Sequence, residues 1–283
     1  MIKPGEIQQK ARKVGVRDQQ IEKDYVLSWI LQGIANHEQI SQQLVFKGGT
    51  VLKKIYFKGY RFSEDLDFTL LNNGLSNDKL FGWFSEVFDY IKEEANIPLE
   101  IITSNEHQDG GINFYVSYIG PLGGVEAKKR VKVDIARSEK LSFKPVNKPA
   151  ILEYTDQEAH HLLCYSLEEV LIEKLRSVMQ RMQARDFYDI WYLLEIHKID
   201  LSLLTNEFNE KCESKGLNPG DFHKKLIQRM PQFKARWEKS ISEQIHNLPS
   251  FEQVEREALR QLKKLVVRGT PSGGSGDAEY LTT

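Results

Sequence analysis

Apolar and polar positions follow two different repeats in the first half of the chain. In short runs the apolar residues alternate with polar ones, which predicts strands, and in longer runs they recur every three or four residues, which predicts helices. The helices are predicted within 1–40, over 49–57 and over 77–96, and the strands over 43–48, 65–71, 99–108, 112–120 and 130–138. This mixture predicts an α+β fold in which helices flank a mixed β-sheet.

After about residue 150 the pattern becomes helical throughout. The run 166–197 predicts one or two strong helices, with Ser166 and Glu169 as a capping box at the first of them. The proline-containing segment 143–154 is predicted to be a linker. The sequence thus predicts a bilobed protein with a mixed α/β core lobe over 1–150, an all-helical lobe over 151–268 and a Gly/Ser-rich disordered tail over 269–283.

Composition narrows the class of protein without identifying it. The chain has 283 residues and a formal net charge of −1, so no global field favours nucleic acid or a membrane surface. Its two cysteines, Cys164 and Cys212, are far apart, which excludes a disulfide scaffold or a zinc finger. The polar N-terminus is unlike a signal peptide and no apolar run approaches 18 residues, so a cytoplasmic location without membrane contact is expected.

Three aspartates are candidates for a metal site. Asp65 and Asp67 are two apart on a predicted strand, so their carboxylates point to one face while Leu66 and Phe68 enter the core. Asp134 alternates with apolar residues on a later strand in the same way. Hard oxygen ligands without nearby His or Cys favour Mg²⁺. Considered alone, each set is better explained as exposed acids on a strand.

Two glycines between a predicted strand and helix favour phosphate binding. At Gly48 and Gly49 the backbone N–H groups and the following helix N-terminus could approach a phosphate, and Thr50 could add a hydroxyl. A tight turn that needs positive φ is the alternative. The basic residues that follow indicate either a phosphate-rich cleft or the solvated side of a short helix and loop, and they are Lys53, Lys54, Lys58 and Arg61.

Four segments together resemble a known family. They are "GGTVLKK" (48–54), "RFSEDLDF" (61–68), "EEVLIEKLRSV" (168–178) and "RDFYDIWYLL" (185–194). In this order they resemble the AbiEii/AbiGii-type toxins, which include the MenT toxins, within the DNA polymerase β-type nucleotidyltransferase superfamily. The 15 residues between Gly49 and Asp65 exceed the spacing usual in that superfamily, but they fit the AbiEii branch.

The resemblance implies that 1–150 is a nucleotidyltransferase core lobe whose active site the helical lobe over 151–268 completes, and it implies a role for each matching residue. The triphosphate would be held by Gly48, Gly49 and Thr50, in a cleft also lined by Lys53, Arg61 and Ser63. Mg²⁺ would be bound by Asp65, Asp67 and Asp134, Lys174 would contact the nucleotide phosphate, and Asp186 or Asp189 would complete the last motif. The alternatives are a solvated Lys174 that pairs with Glu169 or Glu173, and a structural ion-pair cluster of Arg185, Asp186 and Asp189.

Ser63 carries a separate hypothesis, since it lies two residues before Asp65. A phosphate on Ser63 would place negative charge beside the metal-binding acids and compete with the incoming triphosphate. The phosphomimetic Ser63→Asp is therefore expected to abolish activity, and full activity of that variant would count against the hypothesis. The alternative is an ordinary hydroxyl that supports the loop.

The reaction implied by the resemblance is attack of an acceptor hydroxyl on the α-phosphate of an NTP. The implied acceptor is RNA, notably the tRNA 3′ end, so that translation is blocked, and a cognate antitoxin is expected as partner. Basic residues interleaved with apolar ones over 224–239 and 259–268 could track an RNA backbone or could simply be solvated helix faces. A protein or small-molecule acceptor and a catalytically silent NTP-binding module are the other functions considered.

Overall fold

The computed structural model describes residues 1–124, 129–137, 139–245 and 247–267 of the chain. The predicted disordered tail over 269–283 lies outside these residues. The α+β fold predicted from the sequence is confirmed, since the described residues combine one seven-stranded sheet with a set of helices.

The chain folds into two compact units. The first contains Met1–Val170 and Trp237–Leu248, and the second contains Leu171–Arg236 and the described residues from Pro249 onward. The change from one unit to the next therefore falls after Val170, whereas the sequence predicted a division at residue 150. The difference arises because the segment predicted as a linker contains a strand of the sheet.

One mixed seven-stranded sheet forms the centre of the first unit. Its strands are β1 Leu44–Lys47, β2 Asp65–Leu70, β3 Leu99–Glu106, β4 Ile112–Tyr118, β5 Arg130–Ala136, β6 Val146–Pro149 and β7 His161–Cys164. They are ordered β3-β4-β5-β2-β1-β7-β6. β2 runs parallel to β5 and antiparallel to β1, so β2 lies near the middle of the sheet between these two strands. The predicted linker was wrong because β6 pairs with β7 as an edge strand of this sheet.

The central strands separate apolar from polar residues by simple alternation. In β2, Leu66 and Phe68 are fully buried, while Asp65 and Asp67 are only half-buried. β5 repeats the pattern, with Val133 fully buried beside more exposed polar neighbours. One face of β2 and β5 therefore contributes to the core, and the other carries the acids.

Four α-helices among the described residues lie entirely within the first unit. They are α1 Pro4–Val14, α2 Asp18–Asn36, α3 Gly48–Val51 and α4 Asn77–Ala95. α3 continues directly into a π-helical turn over Leu52–Tyr56, so the helix predicted after the glycines is present, with a wider last turn. α2 packs closely on α4, because a Cβ atom added to Gly33 would stand 2.9 Å from side-chain atoms of Val87 and Ile91.

Further helices make up most of the second unit. They are α5 Leu167–Gln180, α6 Ala184–Trp191, α7 Thr205–Glu213, α8 Phe222–Ile241 and α9 Phe251–Leu262, of which α5 begins and α8 ends in the first unit. Within the second unit, the rings of Phe187 and Phe233 stack with centroids 5.4 Å apart. No helix in the described part of the chain is long and apolar enough to cross a membrane.

The structure shows one half of the capping box predicted at the start of α5. The Ser166 hydroxyl accepts a hydrogen bond from the Glu169 backbone N–H, as predicted. The Glu169 carboxylate, however, accepts hydrogen bonds from the backbone N–H groups of Ser142 and Phe143, at 2.9 and 2.8 Å. Glu169 therefore ties the loop after β5 to the first turn of α5.

Candidate active site

Strand register brings the three candidate aspartates onto one face of the sheet. In the parallel pair of β2 and β5, Asp65 lies opposite Lys132 and Asp67 lies opposite Asp134. Residues that are directly opposite each other in a sheet share a face. The prediction that Asp134 points the same way as the first two acids is therefore confirmed.

Gly48 lies directly against one of these acids. Its φ is +78°, and an added Cβ would stand 2.2 Å from Oδ2 of Asp67. Only glycine avoids both the strained backbone and this overlap. The turn that needs positive φ, considered in the sequence as an alternative to phosphate binding, is thus present, and it brings the backbone of the turn into contact with the Asp67 carboxylate.

The next residues tie this turn to the start of β2. An added Cβ on Gly49 would stand 2.7 Å from Nη2 of Arg61 and 3.6 Å from Oγ of Ser63. The Thr50 hydroxyl donates a 2.5 Å hydrogen bond to the Asp65 carbonyl, so its proton is used within the protein. These contacts bring the glycine turn, Arg61, Ser63 and Asp65 together at the start of β2.

Arg61 is held on two sides beside the glycine turn. Its Nη1 donates hydrogen bonds to the Phe62 carbonyl at 3.2 Å and to Oε1 of Gln244 at 3.0 Å. Its residue surface is only 1% exposed. Arg61 therefore buttresses the Gly49 backbone.

Sequence reasoning missed one cation on the acid face, which is the face of the sheet that carries Asp65, Asp67 and Asp134. The Lys132 ammonium lies 2.8 Å from Oδ2 of Asp134. Burial alone would lower its pKa, but the hydrogen bond to Asp134 and the charges of Asp134, Asp65 and Asp67 outweigh burial and raise it. The signal was available, because Lys132 is two residues before Asp134 on the same predicted strand.

The residues on this face fit a divalent cation by their chemistry. Asp65 and Asp67 are carboxylates on the same side of one strand, and oxygen donors of this kind are what Mg²⁺ prefers. Within the described residues, no three His, Cys, Asp or Glu side chains stand close enough to hold a metal ion. The predicted three-acid site is therefore not fully assembled, and the Asp134 carboxylate is paired with Lys132.

Lys53 and Lys54 lie in a buried ion-pair cluster behind α3. Lys54 donates hydrogen bonds to Oδ2 of Asp24 and to Oγ of Ser28, both at 2.7 Å. Lys53 is paired with Glu153 and lies 3.5 Å from Oδ1 of Asp24. Both lysine side chains are 2% exposed. The cluster therefore anchors the helix that follows the glycines to α2 and to the loop at Glu153.

The location of these lysines corrects one reading of the basic run. Lys53, Lys54 and Arg61 are buried, so the alternative that they form a solvated helix side and loop is wrong for them, although it holds for the exposed Lys58. The proposed contact of Lys53 with nucleotide phosphate stays a prediction. Its ammonium is already engaged by two acids.

Removing one member of the buried cluster should destabilise the protein strongly. Lys54→Met leaves the Asp24 carboxylate with less compensation in a buried setting, and such a break costs about 3–5 kcal/mol. We expect this loss in the free energy of unfolding from urea denaturation at neutral pH. The matched change Lys58→Met, at an exposed lysine, should stay within about 0.5 kcal/mol of the wild type. A loss below about 0.5 kcal/mol for Lys54→Met would mean that the cluster contributes little to stability.

The same cluster makes stability depend on acid pH. Burial alone would raise the pKa of Asp24, but Lys53 and Lys54 outweigh burial and hold it well below its usual value. A carboxyl group with a depressed folded-state pKa stabilises the fold above its unfolded-state value of about 3.9, and this contribution is lost as the pH falls through the folded-state pKa. The unfolding free energy should therefore decline below about pH 4, and less steeply in Asp24→Asn.

The candidate residues of the second unit form a separate cluster. The Lys174 ammonium lies 2.6 Å from Oδ1 of Asp186 and 2.8 Å from Oδ2 of Asp189, and Arg181 lies 2.8 Å from Asp186. The alternative of a solvated Lys174 that pairs with Glu169 or Glu173 is wrong, because Lys174 is buried. Glu173 instead pairs with Arg176 and Lys211. Both acids are fully buried on α6. The two acids therefore do form an ion-pair cluster, but its cations are Lys174 and Arg181 where the sequence predicted Arg185, and the cluster joins α5 to α6.

The charge state of Asp186 follows from its partners. Burial alone would raise its pKa, but the charges of Lys174 and Arg181 outweigh burial and lower it. Asp186 is therefore an ionised acceptor for both cations. A role of Lys174, Asp186 and Asp189 in nucleotide binding is an additional prediction.

Solved structures with the same fold include a nucleotidyltransferase toxin and a protein from Helicobacter pylori. MenT4, the nucleotidyltransferase toxin Rv2826c from Mycobacterium tuberculosis H37Rv, superimposes with a TM-score of 0.65 at 17% identity, over 94% of this chain and 90% of its own. JHP933 from Helicobacter pylori superimposes with a TM-score of 0.53 at 17% identity, over 88% of this chain and 94% of its own. At these identities the likeness defines the fold alone.

The family follows from the sequence match. The family model of the nucleotidyl transferase AbiEii toxins, of type IV toxin–antitoxin systems, matches residues 29–261, which is most of the chain. The chain therefore belongs to the AbiEii nucleotidyltransferase toxin family, and membership implies a cognate antitoxin. No curated protein matches the chain at a significant level.

Proposed function

We propose that this toxin transfers NMP from an NTP to an RNA acceptor, at the 3′ end of tRNA, and thereby blocks translation. The observation that carries the proposal is the position of Asp67, which lies against Gly48 in the strand-to-helix turn and opposite Asp134 on β5. A glycine turn beside paired carboxylates is the arrangement that nucleotidyl transfer needs, since it offers backbone donors next to a cation site.

Each group in the first unit has a distinct task in this proposal. The backbone of Gly48 and Gly49 would bind the triphosphate, with Arg61 and Ser63 supporting the turn from behind. Asp65 and Asp67 would hold Mg²⁺, with Asp134 as the third acid. When bound, the ion would neutralise charge on the triphosphate. The acids would also orient the acceptor hydroxyl toward the α-phosphate, so that pyrophosphate leaves.

A separate proposal concerns Lys174. Asp186 and Asp189 fix the Lys174 ammonium from two sides, so its position is set before any nucleotide binds. We propose that Lys174 contacts a nucleotide phosphate and that the two acids orient it. The same cluster would stabilise α5 and α6 if it had no such role, so mutation alone does not separate the two tasks.

The RNA acceptor rests on the family more than on a basic surface. Several described cations of the predicted basic segments already have partners, among them Lys225 with Asp221, Lys234 with Glu252, Arg236 with the Met182 carbonyl, and Arg260 with Glu195. Other basic residues of α8, such as Lys224 and Lys239, are exposed. The proposed substrate class therefore rests on membership of the AbiEii family, and the proposed chemistry rests on the acids of β2 and β5.

A test of the acceptor uses one tRNA pool in two forms. Intact tRNA and tRNA whose 3′-terminal diol has been oxidised by periodate are incubated with the protein, Mg²⁺ and α-labelled NTP. The proposal expects label in the intact tRNA and none in the oxidised tRNA. Label that survives ribonuclease but is removed by protease would support a protein acceptor instead. Label in a small product would support a small-molecule acceptor, and no label anywhere would favour a silent NTP-binding module.

A further inference from the structure

The acid face of the sheet carries a cation of its own. Lys132 lies directly opposite Asp65 in the pairing of β2 with β5, and two residues before Asp134 on the same strand. Its ammonium is 2.8 Å from Oδ2 of Asp134. One lysine is thus placed among all three acids that the proposed function assigns to a divalent cation.

The charges make this placement consequential. Three carboxylates that share one face of two adjacent strands repel one another unless a cation lies among them. Lys132 supplies one positive charge there, in direct contact with Asp134. The pair is also within reach of solvent, since the side chains of Lys132 and Asp134 are each 33% exposed. A flexible lysine in that setting can leave the carboxylate without unfolding the strand.

We propose that Lys132 is the resident counter-cation of the acid face and competes with a divalent cation for the Asp134 carboxylate. Without nucleotide, the ammonium holds Asp134 and weakens divalent-cation binding at the face. The negative charge of a bound triphosphate favours the divalent cation, which then displaces the ammonium from Asp134. This inference rests on the proposed function only for the identity of the three acids as the cation site.

The test measures Mn²⁺ binding to the nucleotide-free protein by the paramagnetic resonance signal of the free ion. Lys132→Gln should bind Mn²⁺ more tightly than the wild type by roughly three- to tenfold, since one nearby positive charge has been removed. Lys132→Arg keeps that charge and should stay within about twofold of the wild type. Lys148→Gln is the matched control, because it makes the same change in net charge at an exposed position on β6.

Several results would overturn the inference. One is unchanged Mn²⁺ affinity in Lys132→Gln, and another is an equal gain in Lys148→Gln, which would reveal a general effect of net charge. Failure of Lys132→Gln to bind Mn²⁺ at millimolar concentration would also overturn it, because the acids would then form no cation site. In the double variant Lys132→Gln with Asp67→Asn, the gain should disappear.

Failure of the inference can be told apart from failure of the proposed function. Transfer of labelled nucleotide by the wild type is measured separately. If the wild type is active but Lys132→Gln binds Mn²⁺ no more tightly than the wild type, the inference is contradicted and the proposed function stands. If the wild type is inactive but Lys132→Gln binds Mn²⁺ more tightly, the proposed function is contradicted and the inference stands.

Discussion

Asp67→Asn should lower the rate of nucleotidyl transfer by roughly a hundred- to a thousandfold, while the protein stays folded. Asparagine has nearly the same shape as aspartate, so it fits against Gly48, but it lacks the negative charge that a cation site needs. Asp67 also lies opposite Asp134, so the change removes the acid that borders both the glycine turn and the third acid. The measurement is the initial rate of label transfer, with circular dichroism to establish folding.

The matched control for this variant is Asp89→Asn. Asp89 is an exposed acid on α4, and its change should leave the rate within about twofold of the wild type, as is usual for surface positions. A rate for Asp67→Asn within tenfold of the wild type would mean that the acid face is not where the chemistry occurs.

Gly48→Ala should abolish activity for a steric reason. The added Cβ would stand 2.2 Å from Oδ2 of Asp67, a distance that forces either the carboxylate or the turn to move. The backbone φ of +78° adds a strain of about 1–2 kcal/mol for any residue with a side chain. Because this overlap pushes the turn and Asp67 away from each other, transfer should fall at least about a hundredfold even in protein that remains folded.

Gly59→Ala separates strain from overlap. Gly59 has nearly the same φ, +75°, but no atom lies within 4 Å of an added Cβ. This variant should therefore lose about 1–2 kcal/mol of stability and keep its activity. Equal loss of activity in both alanine variants would assign the effect to backbone strain, and an active Gly48→Ala would show that contact with Asp67 is unnecessary.

The acid face could be predicted because it depends on local alternation. Asp65 and Asp67 are two apart on one strand, and Asp134 occupies the same phase on another, so their common orientation follows from the pleat. That Lys132 faces Asp65 could not be predicted. This pairing depends on the parallel register of β2 with β5, strands separated by more than fifty residues of other structure.

The buried lysines could not be predicted for a similar reason. Lys54 is paired with Asp24, which lies 30 residues earlier, and Lys53 is paired with Glu153, which lies 100 residues later. A run of basic residues in a sequence normally indicates a solvated surface, and only tertiary packing brings acids to these two. The same holds for Lys174, since its partners follow 12 and 15 residues later, on the next helix.

The central claim is that the acid face of the first unit performs nucleotidyl transfer. Its most direct test is transfer of α-³²P label from each of the four NTPs into total tRNA with Mg²⁺, in the wild type and in Asp67→Asn. The account predicts labelled tRNA with at least one NTP in the wild type and a loss of that label in the variant. Equal labelling by both proteins, or no labelling of any acceptor by the wild type, would contradict it.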